Sequence, residues 1–279
     1  MTHVRPAVAR PPLAAPNGAC LAAGFEDFSR QIAARLAKID QAFNSGRLDD
    51  AIDLMVRALD DGGIIQAFGS GHSQSFAMEI AGRAGGLVPT HAMKLSDLVV
   101  AGLREPRLLE DPNFERDPRV ADELYELYEI HPADLFVIAS NSGANGAVVG
   151  LALRAKAEGH AVIAVTSLAH TRRATPNHPS SKRLSEVADI AIDNLAPYGD
   201  AAVDLGGSVK AGAVSSITAA YIAQLLTIGA ATRFLGRGDQ PPLYISVNTA
   251  RGLASVQALQ EPLGARIRPF SVPRPADVE

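Results

Sequence analysis

The chain has 279 residues, of which 47% are hydrophobic, enough to bury one large core or two small ones. Its formal net charge of −4 argues against general attraction to nucleic acid or to an anionic membrane surface, so any anion site must be local, built from dipoles and a few cations. The single cysteine, Cys20, excludes an internal disulfide and fits a reducing cytoplasm, while the lack of an apolar run approaching ~18 residues argues against a transmembrane helix.

In chain order, residues 1–22 are rich in Ala and Pro with no continuous apolar stretch, which predicts a disordered tail rather than a secretory signal. Residues 23–60 predict two amphipathic helices packing on the domain that follows. Phe25, Phe28, Ile32, Leu36, Ile39 and Phe43 recur at helical spacing over 24–44, and Ile52, Met55, Val56 and Leu59 repeat the pattern. Short apolar runs then predict strands at 63–68, 87–91, 134–139, 161–166 and 189–193. Helices are expected between them at 73–84, 120–130, 145–158 and 182–187, and a long apolar helix over roughly 209–235. Alternation of strands and helices predicts an α/β doubly wound parallel sheet over 61–270. Residues 103–119 hold Pro106, Pro112 and Pro118 and read as a surface loop or lid. Beyond Gln240 the sequence offers one strand-like run, Leu243–Val247, and a weak helix.

Polar chemistry collects where these strands end. The first runs into Gly69-Ser70-Gly71-His72-Ser73, the second into His91-Ala92-Met93-Lys94, the third into Ser140-Asn141-Ser142-Gly143-Ala144-Asn145, the fourth into Thr166-Ser167 and the fifth into Asp193-Asn194. In sheets of this class ligands bind in the crevice beyond the carboxyl ends of the strands. A strand-to-helix turn carrying hydroxyls and amides presents free N–H groups and the positive end of a helix dipole, which suit a phosphate. Other chemistries fit less well. Position 74 is Gln where a dinucleotide fingerprint needs Gly, no Gly-Lys-Ser/Thr follows either turn, and no Gly-x-Ser-x-Gly elbow opens a helix. His170 and His178 lack the paired ligand spacing of a metal site, so neither a metal nor a redox cofactor is expected.

The turns GSGHS (69–73) and SNSGAN (140–145) resemble the two phosphosugar-binding signatures of the sugar isomerase (SIS) domain. EIAGRAGG (79–86), HPSSKRLSEVADIAIDNLAPYGDA (178–201) and PPLYISVN (241–248) resemble an SIS subgroup of phosphoheptose-isomerase-like proteins. The resemblance spans roughly 24–270 and implies a five-stranded, flavodoxin-like parallel sheet flanked by helices. It also implies homodimers with a phosphorylated sugar held between protomers, and the apolar surface of helix 209–235 and of the 24–60 helices predicts a homodimer or a homotetramer built as a dimer of dimers. Carried over, the phosphate grip falls on Ser73, Ser140, Ser142 and Asn145; beside these, the strand-end residues Ser70, His72, Asn141 and Asn194 and the loop residue Lys182 are further candidate substrate contacts. Asn145 replaces the family's commoner hydroxyl, and its amide can still donate. Glu79, His91 and His178 are the expected acid–base groups for an aldose–ketose isomerisation. Each has a plainer reading: Ser73 and Asn145 as helix N-caps, Glu79 as the ion-pair partner of Arg83 four residues on, His91 as a polar edge residue and His178 in a solvated loop. A non-catalytic sugar-phosphate sensor, or a phosphosugar lyase or etherase, would use the same groups. A DNA-binding regulator is not expected, because residues 1–60 carry no basic recognition stripe.

Overall fold

The computed structural model describes residues 18–206, 208–245 and 252–267. Two helices, α1 (Gly18–Asn44) and α2 (Asp49–Asp60), precede β1 (Ile65–Gly69), α3 (Gln74–Ile80), β2 (Thr90–Met93) and α4 (Leu95–Val100). Next come α5 (Val120–Leu127), β3 (Leu135–Ala139), α6 (Gly146–Ala157), β4 (Val162–Thr166), the short α7 (Leu168–Thr171) and α8 (Leu184–Val187), and β5 (Ile190–Asp193). A hairpin, β6 (Ala201–Gly206) with β7 (Val209–Ala213), leads into α9 (Ser215–Gly236), and α10 (Gly252–Gln260) follows. The expected tail lies outside the described residues through position 17, as do Ser246 and Val247 of the strand-like run, and α1 opens at Gly18.

The strands β1–β5 form one parallel sheet in the order β2-β1-β3-β4-β5, the doubly wound arrangement expected. Side chains alternate across it. Ile65, Ala67, Leu135, Val137 and Ile163 join the core beneath α2, α3 and α9. Phe68, Phe136, Ile138, Val162 and Ala164 pack on the other face under α5, α6 and α8. Both faces are therefore covered, and the strands read as nearly continuous apolar runs. The helix α9 lies along α2, with Arg233 bridging Asp49 at 3.2 Å and Asp53 at 3.1 Å.

Two expectations change. The helix predicted over 209–235 begins only at Ser215, because Val209–Ala213 pairs antiparallel with β6 as a hairpin. The proline-rich loop carries two short 3-10 turns, Pro106–Glu110 and Phe114–Arg116, and Phe114 is buried in the core. At the loop's far end, a Cβ at Gly146 would stand 2.1 Å from the Arg116 carbonyl oxygen, so only glycine lets the loop lie on the start of α6.

Candidate functional site

The strand order reverses between β1 and β3, and there the turns 70–73 and 140–145 face an open cavity of about 360 Å³. This is the crevice at the carboxyl edge that the topology favours. Ser70, His72 and Ser73 line it from the first turn, and Ser140, Asn141, Ser142 and Asn145 from the second. The structure thus brings together all seven turn residues picked from the sequence.

The second turn is shaped by its own hydroxyls. Ser140 Oγ accepts from Gly143 N at 3.1 Å, and Ser142 Oγ accepts from Ala144 N at 3.4 Å. A hydroxyl that accepts in this way keeps its hydrogen to donate. Gly143 sits at φ +61°, beside Thr171 and Thr166, where a left-handed residue closes the turn. The first-turn N–H groups of α6 have no intrahelical acceptor, and no acidic residue occupies that turn. Asn145 is the N-cap residue of α6 and Ser73 that of α3, yet neither side chain makes a cap hydrogen bond. The capping reading therefore does not account for them, and both polar groups remain available to the cavity.

Four groups expected as acid–base or anion contacts, His91, His178, Lys182 and Glu79, stand elsewhere. His91 lies on β2 in register with Gln66, is 5% exposed, and its Nδ1 meets Gln66 Oε1 at 3.2 Å. Burial, reinforced by Lys94, lowers its pKa to about 4, so at neutral pH it is an uncharged member of the interior. His178 bonds Ser180 Oγ at 2.9 Å and rests beside Gly150 of α6, with burial lowering its pKa, and Lys182 is solvent-exposed in the same loop. Neither lines the cavity. Glu79 pairs with Arg83, as its helical spacing predicts, and also accepts from Gln224 Nε2 at 2.9 Å across the α3–α9 seam. It too is absent from the cavity wall. Asn194, 2% exposed, does not line this cavity but lines a small adjoining pocket with His72, Ser73, Ser140 and Asn141, and its Nδ2 donates to Asn141 Oδ1 at 3.3 Å.

Other walls come from residues that sequence reasoning did not assign to the site: Glu115 of the proline-rich loop, His170 of α7, and Ser215 and Ser216 at the start of α9. Asp200 also lines the cavity, but as the cap of α9. Its Oδ1 accepts from Val214 N at 3.1 Å and Ser215 N at 2.8 Å, and its Oδ2 from Ser215 Oγ at 2.7 Å. With a carboxylate already at the amino end of α9, the helix ends at the cavity that carry no acidic residue in the first turn are those of α3 and α6.

The profile of the SIS domain matches residues 27–167, a segment running from α1 through β4. A UPF0309 protein of Halalkalibacterium halodurans is 32% identical over 235 residues, covering 82% of this chain and 93% of that one. A UPF0309 protein of Listeria monocytogenes is 33% identical over 247 residues, covering 87% and 97%. Among solved structures, a phosphoheptose isomerase from Francisella tularensis aligns with a TM-score of 0.43 at 17% identity, covering 70% of this chain and 97% of that one. The chain belongs to the SIS-domain family, and within it to the UPF0309 proteins.

Proposed function

We propose that the cavity binds a phosphorylated sugar and that the protein interconverts its aldose and ketose forms. The observation carrying the binding half is the turn 140–145. Two serine hydroxyls keep their hydrogens free while accepting from the turn's own backbone, beside the uncapped amino end of α6. Hydroxyl donors beside a helix amino end match the oxygens of a phosphate. The phosphate would anchor the substrate and hold its carbonyl end against the remaining walls. Exposed apolar residues, Met78 on α3 and Ile217 and Ile228 on α9, support assembly as a homodimer. The single cysteine fits a cytoplasmic setting.

The displacement of His91 and His178 from the cavity favours a second reading, a sugar-phosphate sensor without turnover. Calorimetry with hexose, hexosamine and heptose monophosphates tests the binding half shared by both. A sugar phosphate is expected to bind where its unphosphorylated parent does not, and equal affinities would remove the phosphosugar reading. Conversion of a bound sugar phosphate, followed by proton NMR, separates isomerase from sensor.

A further inference from the structure

We infer that Glu115 is the general base of this cavity and that His170 is the hydrogen-bond donor to the substrate's carbonyl oxygen. The inference rests on the isomerase reading above. Isomerisation needs a carboxylate or similar base at the C2 proton and a donor at the carbonyl oxygen. Two carboxylates line the cavity. Asp200 has both oxygens engaged in capping α9. Glu115 forms no hydrogen bond or ion pair among the described residues, and its carboxylate leans over the first turn: a Cβ at Gly71 would lie 3.2 Å from its Oε2. It also borders a second cavity of about 290 Å³ that runs beneath the proline-rich loop toward Leu95 and Leu109. Glu115 therefore stands between the serine-rich turns and a volume able to take the rest of a sugar chain. The backbone carrying it is fixed on both sides, by buried Phe114 and by the contact of Arg116 with Gly146. Such anchoring suits a group that must hold its geometry.

His170 is oriented by a chain of amides that starts at a backbone N–H. Ala196 N donates to Asn194 Oδ1 at 2.9 Å, which turns Asn194 Nδ2 toward Asn141 Oδ1 at 3.3 Å. Asn141 Nδ2 then faces His170 Nδ1 at 3.4 Å. A ring nitrogen that accepts from an amide is unprotonated, so in neutral His170 the hydrogen sits on Nε2. That leaves a donor on the ring of a cavity-lining residue.

The step balances within the substrate. Glu115 takes the proton from C2 of the aldose, the C–H electrons form the C1–C2 double bond, and charge develops on O1, where His170 Nε2–H holds it. The O2 hydroxyl proton passes to O1, the C2–O2 carbonyl forms, and Glu115 returns its proton to C1. No redox partner is required.

The test uses the full chain in deuterium oxide, with pentose, hexose, hexosamine and heptose monophosphates, reading C2-proton exchange by NMR and affinity by calorimetry. The wild type should exchange the C2 proton of a phosphate that it binds. Glu115→Gln should lower exchange by about a hundredfold or more while binding is kept or tightened. His170→Gln should lower kcat with little change in KM. Unchanged melting temperatures would show that both variants fold. Undiminished exchange and conversion in Glu115→Gln, or binding by the wild type with neither exchange nor conversion to the ketose, overturns the assignment and leaves phosphosugar binding intact. If no sugar phosphate binds, the phosphosugar reading itself fails, and this inference with it.

Discussion

His91 shows how a polar residue at a strand end can belong to the interior. Its pKa of about 4, against an ordinary 6.5, means that the folded state resists a proton that the unfolded chain accepts. Stability from this group is complete above pH ~6.5 and is lost as the pH falls through the window down to ~4. Burial of His178 acts in the same direction, whereas Asp97, whose pKa burial raises, acts oppositely at the acid end. Urea unfolding of the wild type should therefore show falling stability between pH ~7 and pH ~4.5, and His91→Gln should flatten that fall while keeping a partner for Gln66. Identical slopes would mean that His91 titrates normally. The position could not be read from sequence because His91 falls on the same β2 edge that leads to Lys94. Only the register with Gln66, which bonds Asp134 at 3.0 Å, shows that it points into a buried network. The placement of Ser140 and Ser142 on the cavity wall is legible in the sequence, since their turn follows directly on the carboxyl end of a buried strand.

At the scale of elements, the five strands and the two serine-rich turns follow from local pattern, while the hairpin and half of the cavity do not. Residues 201–213 are Ala-, Val- and Gly-rich, and merge by composition with the apolar helix that follows. Pairing of Val203 with Ala211, a tertiary event, decides for strand. Glu115, His170 and Ser215 come from three separate connections, so their convergence exists only once the sheet is assembled. Gly146 is the joint between one such connection and α6. In Gly146→Ala the new methyl meets the Arg116 carbonyl oxygen, and this is backbone, so the loop or the helix must move. We expect a loss of about 1–3 kcal/mol in denaturant unfolding, the usual cost of overpacking, although alanine is the better helix former. Turnover should fall further than stability does, because the shift displaces Glu115. A variant with wild-type stability and turnover would show that the contact yields at no cost.

Over the whole molecule, the cavity edge of the sheet is open and the opposite edge is closed by the chain's distant parts. Ile64 and Val88 pack with Ile267, and Val88 N bonds the Pro242 carbonyl at 2.7 Å. Among these contacts, Arg266 pairs with Asp134, the two side chains being 8% exposed and fully buried respectively. Asp134 also accepts from Ile64 N at 2.9 Å, Gln66 Nε2 at 3.0 Å and His131 N at 3.2 Å, tying the starts of β1 and β3 to the C-terminal segment. The pair need not be a net source of stability, since desolvating two charges offsets much of their attraction. Removing one partner is a different matter, because it leaves a carboxylate buried without its counter-charge. Arg266→Ala should therefore cost about 3–5 kcal/mol, toward the low end because three N–H donors still serve Asp134. The loss should change little with added salt, since a buried pair is weakly screened. At temperatures where the variant is folded, its affinity for a sugar phosphate should equal that of the wild type, because the cavity lies at the other end of the strands. Denaturant unfolding at low and high salt checks the first two expectations and calorimetry the third. An unchanged unfolding midpoint would mean that the C-terminal segment rests on the sheet without holding it, and a loss of affinity at full folding would mean that the two edges are coupled.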